Sequence, residues 1–187
     1  ALVKFPIFNS KFSKGGQEYI EVFTTRADTL FGATYLVLAP EHPMVTKLTK
    51  DKNLDAVSKY LEEVKKKTEM ERLHIDKSKI GVDTGGYVVN PVNGEKIPVW
   101  VADYVIGWYG TGAVMAVPAH DERDHEFATK YKLPVKEVVQ WPKNLTWVSH
   151  PITLPPAGAY VGEGILTDSG EFDGLNSKEA RRKIVEN

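Results

Sequence analysis

The chain has 187 residues, 42% hydrophobic and 26% charged, with no cysteine and a formal net charge of -1. This balance fits a globular chain with one core of ordinary domain size; it excludes a disordered or collagenous chain, disulfides, thiolate metal sites, a cysteine nucleophile and a global field that attracts nucleic acid. No apolar run reaches the ~18–20 residues that span a bilayer, residues 1–6 (ALVKFP) lack a signal-peptide pattern, and the missing cysteines fit a reducing, cytoplasmic setting.

Tyr19 to Thr24 alternates and is β-rich, and Ala33 to Ala39 is a short apolar run; both read as strands. Leu54, Val57, Leu61 and Val64 recur at helical spacing behind Asn53, a candidate N-cap, and predict an amphipathic helix over residues 54–72. Lys65, Lys66 and Lys67 lie among Glu62, Glu63, Glu69 and Glu71, the mixture of a solvated helix face. Gly86 to Asn90 and Ile97 to Val105 read as strands around Asn93-Gly94, which predicts a hairpin with a type I′ turn whose two central residues take positive φ. Ala113 to Val117 is a further strand. Asp121 to Tyr131 predicts a helix with acids in its first turn and Phe127 beside Tyr131, and Ser177 to Glu186 a helix opened by a capping serine. Strands predominate and no regular βαβ alternation appears. The expected class is α+β, a small closed β-barrel with peripheral helices in a single domain over residues 1–187.

Two segments carry candidate chemistry. Thr24-Thr25-Arg26-Ala27-Asp28-Thr29-Leu30-Phe31-Gly32 is hydroxyl-rich and lies where a strand gives way to a helical turn. Thr25-x-x-Asp28 matches a capping box that Gly32 can end, and a cap is favoured over a substrate contact for Asp28. Three threonines in six residues exceed what one cap needs and ask for a polar ligand. The second segment runs from Tyr109 to Asp124: a glycine turn, an apolar strand, then a polar helix start. Spacing alone favours Asp121 as N-cap and Asp124 as an acid in the first turn.

Gly110-x-Gly112 leads into a strand and lacks a third glycine, so it is no dinucleotide fingerprint. The five histidines, His42, His74, His120, His125 and His150, have no metal-binding spacing, and no Gly-x-Ser-x-Gly elbow exists. No metal and no cofactor are expected.

TTRADTLFGATYLVLAPEHP (24–43), NPVNGEKIPVWVADYV (90–105) and YGTGAVMAVPAHDERDHEFA (109–128), followed by DSGEFDGLNSKEA (168–180), resemble the editing domain of bacterial-type leucyl-tRNA synthetases in order and spacing. One departure is Ala27, where that family commonly has proline. A proline in the first turn aids the local conformation, and alanine can stand in for it. The synthetic signatures HIGH and KMSKS are absent from these 187 residues, so the segment itself cannot activate leucine.

The resemblance implies hydrolysis of the ester on mischarged leucine tRNA, carrying norvaline, isoleucine or methionine. A synthetic site separates side chains that differ by one methylene by only ~1–3 kcal/mol, which leaves work for a second site. The resemblance makes Asp124 the partner of the substrate's α-ammonium, with Asp121 in support. Thr24 and Thr25 position water and ribose hydroxyls. Arg26 and Arg123 contact RNA or order acidic neighbours, and Tyr109 lines the adenosine entrance. Met115, Val117 and His120 form the side-chain pocket, and Thr29 obstructs the γ-branched side chain of leucine. The implied partners are the 3′ end of leucine tRNA and the rest of the parent enzyme, with the chain a monomer. The competing reading is an insertion that grips tRNA without chemistry; intact Thr24, Thr25 and Asp124 favour the hydrolase. A protease-like pair of Asp121 and Asp124 fails, because Asp-Thr/Ser-Gly signatures on separate loops are absent.

Overall fold

The computed structural model describes residues 1–8, 17–67, 80–108, 110–141 and 158–186. It forms two compact units: Ala1–Thr24 with Tyr35–Ala116, and Thr25–Thr34 with Val117–Asn187.

In the first unit β1 (Leu2–Pro6) pairs antiparallel with β2 (Tyr19–Phe23). A four-stranded sheet has the order β4-β5-β3-β6, built from β3 (Tyr35–Leu38), β4 (Gly81–Val89), β5 (Lys96–Ala102) and β6 (Ala113–Ala116). All four residues of β3 are buried, because it runs parallel to β5 on one edge and antiparallel to β6 on the other. A strand covered on every side reads as the continuous apolar run YLVL, without alternation.

The expected closed barrel does not form; among the described residues the sheets are open. Closure needs a ladder along every strand edge. Here β1–β2 meets β4 through one bridge, Ile7 to Val88, and β2 lies beside β6 with no ladder between them. A register shift between Asp83 and Tyr87 also bends β4. Gly85 takes φ 71° there while Asp83 Oδ1 accepts its N–H at 2.8 Å.

The hairpin at Asn93-Gly94 is present, but its turn is not type I′. Gly94 has φ 72° whereas Asn93 is not among the residues of positive φ. Asn90 N–H donates to Glu95 O and Gly94 N–H to Asn90 O, so the loop is wider than two residues. Asn93 instead uses its side chain, accepting Glu95 N–H at 2.9 Å.

α1 (Met44–Leu48) and α2 (Leu54–Lys65) complete this unit, with Val57, Tyr60 and Val64 buried. The predicted helix thus ends seven residues earlier than expected, and residues 68–72 lie outside the described ones. Asn53 holds the N-cap position without a capping bond, because its amide donates to Asp83 O. Lys67 pairs with Asp103 at 2.6 Å.

The second unit contains a 3-10 helix (Ala27–Gly32), α3 (Glu122–Tyr131), the antiparallel pair β7 (Val139–Gln140) and β8 (Ile165–Leu166), and α4 (Ser177–Glu186). Leu30, Phe31, Phe127, Val138, Val139, Leu166 and Phe172 are buried in it. Phe127 and Tyr131 stack as expected, with ring centroids 4.5 Å apart. Gly32 serves a close approach: a Cβ there would lie 2.8 Å from Val138 Cγ2 and 3.0 Å from Lys136 O. α4 is capped by Asn176, whose Oδ1 accepts Glu179 N–H, and not by the expected Ser177. The Ser177 hydroxyl is buried and accepts Gly164 N–H at 3.0 Å.

Candidate functional site

The second unit gathers Thr25, Arg26, Thr29, Val117, His120, Asp121, Arg123 and Asp124. Thr24 and Met115 belong to the first unit, and Tyr109 lies outside the described residues. Thr24 is buried at the end of β2, its N–H donating to Ala1 O; Met115 is buried in β6 opposite Leu36.

Asp121 caps α3 as its spacing predicts. Its side chain accepts the N–H groups of Arg123 at 2.9 Å and Asp124 at 3.2 Å, satisfying donors that the first helical turn leaves open. Arg123 reaches back to the same carboxylate at 3.5 Å. Asp124 is buried one turn in, and its Oδ2 accepts Val117 N–H at 2.9 Å. The bond fixes the carboxylate at the positive end of the helix dipole. A fixed anion at a helix start can take a cationic group.

The threonine-rich peptide departs from the capping box. The N-cap of the 3-10 helix is Arg26, with no side-chain capping bond. Thr25 is exposed. Asp28 is 0% exposed and is held as a buried anion, with Arg26 Nε and Nη2 each donating to it at 3.1 Å. The fork geometry lets one guanidinium meet both carboxylate oxygens. Arg26 also donates to Val161 O at 3.2 Å and Gly162 O at 3.5 Å. Thr29 is fully buried, and its hydroxyl donates to Arg26 O at 2.9 Å. That bond fixes the side chain in one rotamer.

Both ring nitrogens of His120 are engaged within its own unit. Nε2 accepts Val138 N–H at 3.0 Å and Val139 N–H at 3.2 Å, and Nδ1 lies 3.1 Å from Tyr160 O. Two donors on one nitrogen and a carbonyl on the other require the neutral tautomer with its proton on Nδ1. Burial, the larger influence, lowers its pKa below 6.5 against the opposing bond to Tyr160. His42 is lowered by burial too.

The carbonyl partners of Arg26 and His120 were beyond the reach of local patterns. Arg26 lies two residues from Asp28, but Val161 lies 135 residues from Arg26, and Tyr160 lies 40 from His120. Arg181, in α4, has no motif at all; its Nη1 lies 3.9 Å from Asp28 Oδ1. Among the described residues no group of three or more His, Asp or Glu could hold a metal ion, and no helix is long and apolar enough to cross a membrane.

The family model for the leucyl-tRNA synthetase editing domain matches residues 3–187. The leucine--tRNA ligase of Clostridium tetani (strain Massachusetts / E88) is 49% identical over 186 residues, which is 100% of this chain and 21% of that protein. The chain therefore spans about a fifth of that relative's length. Among solved structures, the Agrobacterium radiobacter K84 agnB2 LeuRS, in a ternary complex with tRNA and LeuAMS, matches with a TM-score of 0.60 and 39% identity over 73% of this chain and 16% of that one. A family match over residues 3–187 and 49% identity to a leucine--tRNA ligase over the whole chain agree: this chain belongs to the editing domains of leucyl-tRNA synthetases.

Proposed function

We propose that the chain hydrolyses the ester bond of mischarged leucine tRNA, releasing norvaline, isoleucine or methionine. Water adds to the ester carbonyl, the bond to the ribose oxygen breaks, and that oxygen takes a proton to leave free amino acid and tRNA. The carrying observation is Asp124, a buried carboxylate fixed by Val117 N–H at the start of α3. An aminoacyl ester presents an α-ammonium, and a fixed anion orients it in a charge-assisted pair, about 1.5–3 kcal/mol.

Asp121 holds the helix start on which Asp124 depends. Thr24 and Thr25 position the water and the ribose hydroxyls, so proximity supplies much of the rate. Thr29, locked by its bond to Arg26 O, limits the depth open to a substrate side chain and turns away leucine. Val117 supplies apolar wall, and Arg123 meets RNA. The parent synthetase delivers the tRNA end in the cytoplasm, and the domain acts as a monomer within that chain.

The test is release of norvaline from norvalyl-tRNA by the full-length enzyme and by its Asp124→Asn variant. Hydrolysis by the parent and its loss in the variant support the reading. A parent that binds the tRNA and leaves the ester intact selects the alternative, an insertion that only grips tRNA.

A further inference from the structure

Two arginines and two carboxylates form one network around the buried Asp28, and the second arginine comes from a distant element. Arg26 alone gives the buried carboxylate two donors at 3.1 Å. Arg181 brings a second guanidinium from α4, with Nη1 3.9 Å from the same Oδ1. Its Nη2 donates to Glu163. Both arginines therefore bridge Asp28 to one short segment: Arg26 through the carbonyls of Val161 and Gly162, and Arg181 through the side chain of Glu163. The apolar side of the same turn is fixed by Phe31 against Phe172, with ring centroids 5.8 Å apart.

We propose that Arg181 is a positioning residue for the hydrolytic site, clamping Asp28 and with it the 3-10 helix that carries Thr29. It touches no reacting atom. The inference rests on the deacylase reading above. A charged tie from α4 sets where the turn sits, and a displacement of about 1 Å at a reacting geometry costs on the order of 100-fold in rate. Because Thr29 excludes leucine by its position, releasing the clamp also blurs the choice of substrate.

The experiment uses the full-length synthetase carrying Arg181→Ala, Arg181→Lys or the exchange Glu163→Arg with Arg181→Glu. Deacylation of norvalyl-tRNA and leucyl-tRNA is measured, with hydrogen exchange at the amides of Thr29 and Ala33. Arg181→Ala is expected to lower kcat for norvalyl-tRNA about tenfold or more with little change in KM, to raise the leucyl-to-norvalyl ratio and to speed exchange at both amides. Arg181→Lys, which keeps a cation beside Asp28, restores most of this. The exchanged pair remakes a bond between positions 163 and 181 but sets a carboxylate against Asp28, so it fails to restore. Rescue by the exchanged pair overturns the proposal, because the arginine then serves only Glu163. Unchanged exchange in Arg181→Ala also overturns it. A parent enzyme that releases no norvaline refutes the deacylase reading instead, and the exchange rates of the same variants still decide whether the clamp exists.

Discussion

The Asp124 carboxylate accepts the backbone N–H of Val117, seven residues earlier, at 2.9 Å. This bond joins the end of the apolar strand segment to the first turn of α3, so the acid has a structural duty beside the chemical one proposed for it. The two are separable. Asp124→Asn keeps an oxygen for Val117 N–H and removes the charge. Deacylation of norvalyl-tRNA should fall by roughly 10- to 150-fold in kcat/KM, the equivalent of a lost pair of about 1.5–3 kcal/mol, while the melting temperature stays near the parent's. Asp124→Ala should lose activity and also leave Val117 N–H without its acceptor, lowering stability by about 1–3 kcal/mol. Full activity in a folded Asn variant would remove the ammonium assignment.

Thr29→Ala offers a gain of function. Removing a hydroxyl and a methyl from a fully buried side chain opens depth, and leucyl-tRNA should become a substrate while norvalyl-tRNA is still cleared. Loss of the bond to Arg26 O alone predicts at most ~1–2 kcal/mol of stability and unchanged selectivity. Leucine release, followed on both esters in parallel, separates the two by sign. Thr29→Tyr should exclude norvaline as well.

Stability should depend on pH through His120. Its pKa in the folded state lies below 6.5, so between the folded value and 6.5 the unfolded chain binds more protons. The contribution is fully present above pH 6.5 and is lost as pH falls below it. His42 is depressed as well and contributes in the same direction. Denaturant midpoints measured from pH 8 down to pH 5 should decline in the acid half of the range, and His120→Gln should flatten part of that decline. An identical slope in the variant would show that His120 is not the group responsible.

Gly32→Ala should destabilise the second unit by about 1–3 kcal/mol, the usual cost of overpacking. The added carbon meets Val138 Cγ2 at 2.8 Å, where a side chain can give, and Lys136 O at 3.0 Å, where backbone cannot. Val138→Ala in the same chain should therefore recover only part of the lost denaturant midpoint. A variant as stable as the parent would mean that the turn can move away from residues 136–138 at no cost.

Element types were legible where one periodicity ruled. Leu54, Val57, Leu61 and Val64 repeat at helical spacing and the helix forms, although of these only Val57 and Val64 are buried, with Tyr60 beside them; Phe127 and Tyr131 meet one turn apart. The cap at Asp121 was legible because its partners are two and three residues away. The barrel was not, since closure depends on pairing between distant edges that strand patterns do not record. Asp28 looked like a cap because the sequence displays its neighbours, whereas its environment is set by burial and by two arginines, Arg26 beside it and Arg181 from α4. The bonds of His120 were hidden for the same reason: nothing near it announces the amides of Val138 and Val139.

The second unit is discontinuous, taking Thr25–Thr34 from one part of the chain and everything else from Val117 onward. Thr34 must wait for Pro134, its hydroxyl's acceptor 100 residues later, and Asp28 for Arg181. During synthesis at ~5–20 residues per second, the hydroxyl-rich turn therefore spends several seconds outside its final packing. Residues 35–116, which carry the four-stranded sheet, are all made before Pro134 and Arg181 and can pair in that interval. A stall or cleavage ahead of α4 would leave a folded sheet attached to a turn whose buried aspartate lacks its second arginine.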